Sequence, residues 1–77
     1  MNSPKYQPLL NELQRRQGPV EMTFSEIASL VGGLPPSAYR LREWWANTSG
    51  HVQARAWLTS RRRVATLDLA RECVCFE

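Results

Sequence analysis

Trp44, Trp45 and Trp57 sit close together in a chain of only 77 residues, and nothing else in the sequence limits the fold so strongly. A chain this short builds one core, so residues 1–77 read as a single domain. Adjacent residues on a helix point about 100° apart, so Trp44 and Trp45 do not both enter that core. We expect Trp45 and Trp57 to be scaffold and Trp44 to be an exposed stacking or interface residue. The same stretch, Pro35–Arg63, holds the sole histidine, His51. It also holds Arg40, Arg42, Arg55, Arg61, Arg62 and Arg63 of the ten basic residues.

The net charge of +3 is informative mainly through its distribution. Glu43 is the only acidic residue among positions 37–63, against those six arginines. Positions 1–36 are balanced, and positions 64–77 set Arg71 against Asp68, Glu72 and Glu77. A basic centre between neutral and acidic flanks favours an anionic partner. Lys5 is the only lysine. Arginine offers a planar fork to phosphates and guanine edges and stacks on aromatic rings, although a GC-rich coding sequence explains the bias equally well. No apolar leader and no membrane-spanning run is present, which predicts a cytoplasmic protein without a membrane partner. Asn47-Thr48-Ser49 matches the glycosylation sequon by chance in that setting. Cys73 and Cys75 share one face of a strand and are poorly placed for a disulfide, so two reduced thiols are expected.

The periodicity predicts the elements in turn. Met1–Pro4 reads as a loose lead-in. Tyr6, Leu9, Leu10 and Leu13 form the inner stripe of a first helix, which Gly18-Pro19 ends. Val20, Met22 and Phe24 alternate as a half-buried strand. Thr23 and Glu26 have capping-box spacing, with Ser25 as a competing cap, before a helix that turns Ile27, Leu30 and Val31 inward. Gly32-Gly33 stops it. A further helix is expected from Pro36, capped by Ser37 in the alternative, to Ala46, with Ala38, Leu41 and Trp45 inward and Asn47 as a left-handed terminator. His51–Ser60 reads as another helix burying Val52, Ala56 and Trp57, or as the start of an extended segment. Val64–Leu69 and Glu72–Phe76 read as a terminal hairpin around Ala70-Arg71. Its expected pairs are Leu69/Glu72, Leu67/Val74 and Ala65/Phe76 on the apolar face, with Asp68/Cys73 and Thr66/Cys75 on the other.

This order predicts an α+β, winged helix-turn-helix-like domain of three to four helices with a small three-stranded antiparallel sheet. In such domains the second helix of the pair enters the major groove. Ser37, Tyr39 and Arg40 would then read bases, and Arg42, Arg61, Arg62 and Arg63 would lie on phosphates. Trp44 and Arg55 complete the candidate surface, since tryptophan and arginine together dominate both interfaces and base stacking. Phe24-Ser25-Glu26-Ile27, Leu34-Pro35-x-Ser37-Ala38, Trp44-Trp45-Ala46-Asn47 and Gln53-Ala54-Arg55-Ala56-Trp57, with the Val64–Phe76 hairpin, resemble an uncharacterised small bacterial or phage domain family. The resemblance covers nearly the whole chain and implies no catalytic residue.

An enzyme is not expected. His51 lacks a second histidine, Cys73-x-Cys75 lacks the pairs of a zinc site, and no nucleophile–base spacing or phosphate-cradling glycine loop occurs. Neither a metal, nor another cofactor, nor a small-molecule substrate is called for. Two partners stay open. One is double-stranded DNA. The other is a nucleic-acid-handling defence complex that the chain would block, as anti-CRISPR proteins do. A dimerising or purely structural role is a blander third.

Overall fold

The computed structural model describes residues 4–77; the lead-in expected at residues 1–3 lies outside them. A 3-10 turn at Pro4–Tyr6 leads into α1 (Gln7–Arg15), then β1 (Val20–Thr23) and α2 (Phe24–Val31) follow. Next come α3 (Pro36–Arg40), a second 3-10 turn at Arg42–Trp45, α4 (Ala54–Thr59), β2 (Val64–Asp68) and β3 (Cys73–Phe76). The three strands form one antiparallel sheet in the order β1-β3-β2. This is the expected α+β fold, in the element order of a winged helix. No helix among the described residues is long and apolar enough to cross a membrane.

The first half follows its local sequence closely. Tyr6, Leu9, Leu10 and Leu13 are all buried, so the helical spacing of α1 sets which face enters the core. β1 alternates buried and exposed positions, and Val20 and Met22 point inward. Thr23 caps α2: its hydroxyl accepts from Glu26 N at 3.0 Å, and Glu26 Oε1 accepts from Thr23 N at 2.8 Å. The reciprocal box satisfies two orphan donors at once, so Ser25 has no capping role here. Gly32 ends α2 in the left-handed region at φ +78°, and Gly33 N donates to Ala28 O at 2.8 Å. Lys5 Nζ then caps the carbonyls of Val31 and Gly33 at 3.0 and 2.9 Å.

The middle departs from its local sequence. The helix expected over Pro36–Ala46 stops at Arg40, and Leu41 is extended (φ −116°, ψ 120°). The cause is Trp45, whose indole Nε1 donates to Ala38 O at 2.8 Å. In a continuous helix that carbonyl would accept from Arg42 N. Trp45 is 2 % exposed and lies between Phe24 (4.8 Å, 19°) and Trp57 (5.9 Å, 18°) in a stack of near-parallel rings. Burying an indole N–H requires a partner, and the break supplies one. It also turns Leu41 out, 54 % exposed, where an inward position was expected. Asn47 is not left-handed; among the described residues the only non-glycine ones with positive φ are Arg61 and Glu72. The helix expected over His51–Ser60 shortens to α4, and Val52 is 48 % exposed rather than buried.

The hairpin keeps most of its expected register. Leu67 pairs with Val74, Asp68 with Cys73 and Thr66 with Cys75. Val64 instead of Ala65 faces Phe76, because a bulge between Val64 and Thr66 leaves Ala65 without a partner and exposed. The loop spans Leu69–Glu72 and not Ala70-Arg71 alone. Asp68 Oδ1 accepts from Arg71 N at 2.9 Å, and Glu72 takes φ +53°. Asp68 thereby builds the turn that an Ala-Arg dipeptide does not favour.

All seven aromatic side chains join one cluster. Tyr39 meets Phe24 edge-on (5.6 Å), Phe24 stacks on Trp45, Trp45 stacks on Trp57, and Trp57 tilts against Phe76 (5.5 Å). Trp44 joins Trp45 at 4.7 Å and Tyr6 at 6.2 Å, both edge-on. Trp57 and Phe76 are fully buried. The cluster ties α1, α2, α3, α4 and the sheet into one core.

Candidate binding surface

The fold divides the basic residues into two groups. Lys5 caps α2. Arg15 and Arg16 hold Glu12 at 2.8 and 2.6 Å. Arg62 is half-buried, and its guanidinium donates to three carbonyls: Leu13 O at 3.1 Å, Gly18 O at 2.6 Å and Arg16 O at 2.7 Å. It closes the C-terminus of α1, as a cation does favourably at that end of a helix dipole. Arg55 Nε donates to Ser49 O at 2.9 Å and is half-buried. Five arginines stay exposed with no side-chain bond or ion pair among the described residues: Arg40, Arg42, Arg61, Arg63 and Arg71.

The run Arg61-Arg62-Arg63 therefore does not act as a unit. Arg61 is in the left-handed region at φ +63°. Its N–H donates to Leu58 O at 3.0 Å, and Arg62 N–H donates to Trp57 O at 2.8 Å. These two bonds are those of a Schellman motif closing α4, with Arg61 at the position that glycine prefers. The Arg63 backbone exchanges two 2.9 Å bonds with Glu77, extending the β2–β3 ladder, while its side chain is exposed.

The expected base readers are placed differently from a recognition helix. α3 has five residues, which is about 7.5 Å of helix. Ser37 is half-buried, and Tyr39 is half-buried against Phe24, so neither projects freely. Arg40 and Arg42 flank the extended Leu41. Trp44 is half-buried rather than exposed, held between Tyr6 and Trp45. Ser37, Leu41, Glu43, Trp44, His51 and Gln53 line one open groove of about 220 Å³. Gln53 is buried and donates through Nε2 to Trp44 O at 2.9 Å. Nδ1 of His51 is buried with no hydrogen-bond partner. A larger groove of about 460 Å³ lies beside Arg16, Arg61 and Arg62, but two of these three guanidinium groups are already committed.

Sequence reasoning missed Asn47. Its Oδ1 accepts from Val64 N at 2.8 Å and from Trp57 Nε1 at 3.0 Å, and its Nδ2 donates to Val64 O at 3.0 Å. The side-chain amide acts as a surrogate strand on the open edge of β2. It fixes the end of the 3-10 turn beside the residue that follows Arg63. No local signal marks this role, because the partners are 10 and 17 residues away. Leu41 and Gln53 were also missed, both through the break in the expected helix. Among the described residues no group of three or more His, Cys, Asp or Glu could hold a metal ion.

Together these features define a small α+β domain with a basic, partly aromatic surface around the α3 break. The chain belongs to a family described as a domain of unknown function (DUF7662), matched over residues 6–77. No curated protein and no solved structure matches it.

Proposed function

We propose that the chain is a non-enzymatic module that binds nucleic acid, DNA foremost, by holding its phosphates. The observation that carries this reading is the division of the arginines. The fold commits Arg62, Arg55, Arg15 and Arg16 to internal partners, and leaves Arg40, Arg42, Arg61 and Arg63 of the basic centre exposed. Asn47 fastens the chain following the Arg42–Trp45 turn to Val64, directly after Arg63. Base reading by an inserted helix fits poorly with a five-residue α3. Ser37, Tyr39 and Arg62 therefore leave the set of proposed contacts.

The test is a duplex titration at two salt concentrations. Affinity should fall steeply with salt. A variant with Arg40→Ala and Arg42→Ala should weaken binding and lower the salt slope by about 1 for each phosphate that is no longer held. Absence of binding at low salt overturns the reading. Arg62 should be left intact, since its loss would disturb the fold.

A second reading is a protein inhibitor of a bacterial nucleic-acid-handling defence complex. The exposed Leu41 and Val52 favour it, since a large apolar side chain left in water is covered when a protein partner docks on it. A stoichiometric complex with such a protein, formed without DNA affinity, would support it over the first.

A further inference from the structure

We infer that the groove beside α3 receives one unstacked nucleobase, so that the module prefers single-stranded nucleic acid to duplex. The inference rests on the nucleic-acid reading above and names the substrate class of that same surface. Its apolar walls are Leu41 and Trp44. Leu41 is 54 % exposed, with Val52 one of two exposed large apolar residues among the described residues, so its side chain lacks a partner on one side. Trp44 is half-buried, and its ring is already fixed by edge contacts to Tyr6 and Trp45. A ring held this way loses little freedom when a second ring stacks on it.

Size and charge narrow the occupant. The groove measures about 220 Å³, below the roughly 300–1,000 Å³ that hold a drug-sized ligand or cofactor, yet adequate for one planar base. Glu43 lines it. A carboxylate there repels an anionic occupant and accepts from an amino or imino edge such as cytosine N4. Gln53 adds a polar group at the wall. His51 also lines it. Just outside, Arg40 and Arg42 adjoin Leu41 in the chain and are exposed, suited to the phosphates on either side of an inserted base. An acidic peptide would satisfy the arginines but meet Glu43 inside. A base with its flanking phosphates satisfies both. Sequence-tolerant stacking of this kind, beside a positive track, is how single strands are held.

The experiment compares labelled oligo(dC) of about a dozen nucleotides, within the usual site size, with a duplex of equal length at low salt. The wild-type chain should bind the single strand roughly tenfold or more tightly, with quenching of tryptophan emission. Trp44→Leu should remove the quenching and roughly tenfold or more of single-strand affinity, with little change for duplex. Because Trp44 touches the core, Leu41→Asp serves as a second variant at an exposed position and should erase the same preference. Arg40→Ala with Arg42→Ala should weaken both ligands. Equal affinity for single strand and duplex, unaltered by Leu41→Asp, overturns the base pocket and leaves the phosphate reading standing. Failure to bind either ligand overturns both. An acidic leucine-bearing peptide that occupies the groove while oligo(dC) does not overturns the base pocket.

Discussion

Single side chains with two or three jobs account for much of this fold. Asn47 is exposed by area, yet it serves Trp57 and both backbone groups of Val64. Asn47→Asp keeps the accepting oxygen but sets a second oxygen against the Val64 carbonyl. We expect it to cost about 1–3 kcal/mol, the range for an unpaired or opposed polar group, as read by urea unfolding. Asn47→Ala should cost a similar amount. The neighbours Arg61 and Arg62 should behave oppositely. Arg61→Gly removes a side chain from a left-handed position and should be neutral or stabilise by up to about 1 kcal/mol. Arg62→Ala removes three bonds to carbonyls, two of them exposed, and should lower stability by about 1–2 kcal/mol. Thermal melts of the two variants check this contrast, which a solvated charge run would not produce.

At the scale of elements, the decisive event is the break between α3 and the following 3-10 turn. Local propensity favours a helix through Leu41: apart from Pro36 at its entry, no residue of Pro36–Ala46 breaks one. The parallel stack of Phe24, Trp45 and Trp57 takes precedence, because its indole needs the Ala38 carbonyl. Trp45→Phe keeps a ring in the stack but leaves that carbonyl without its donor. We expect a loss of about 2–4 kcal/mol from the cavity and the lost indole hydrogen bond together, measured by denaturant unfolding. Far-UV dichroism should show slightly more helix, as Arg42 N–H becomes able to take the freed carbonyl. α1, β1 and α2 were legible because their signals are local: a helical apolar stripe, strict alternation, a capping box and a glycine stop. The bulge at Ala65 and the loop built by Asp68 were not, since both depend on how β2 meets β3.

For the whole molecule, the aromatic cluster is the core and the arginines are its exterior, and pH probes the join between them. Tyr6 is buried at the entrance to α1, and that burial raises its phenol above the ordinary value. The folded state therefore holds the proton more tightly than the unfolded chain does. Stability from this source is intact below about pH 10 and falls as pH rises beyond it. Tyr6→Phe should flatten the alkaline limb of a stability–pH curve. On the acid side, hydrogen bonds from Arg15 and Arg16 lower the pKa of Glu12. That contribution is present at neutral pH and is lost as pH falls below the usual glutamate range, and it is small because both arginine partners are exposed. Urea midpoints across pH give both limbs.

The sequence alone determined the class of fold, the order of elements, the inward faces of α1, β1 and α2, and the concentration of tryptophan and arginine between Pro35 and Arg63. Those properties follow from periodicity, caps and counting, which act over a few residues. Only the tertiary structure decided which arginines are free, because Arg62 is engaged by carbonyls more than 40 residues away. It also decided that Leu41 faces outward and that Trp44 lines a groove. Both follow from the demand of one buried indole, Trp45, for a hydrogen-bond partner, which no local pattern could foretell.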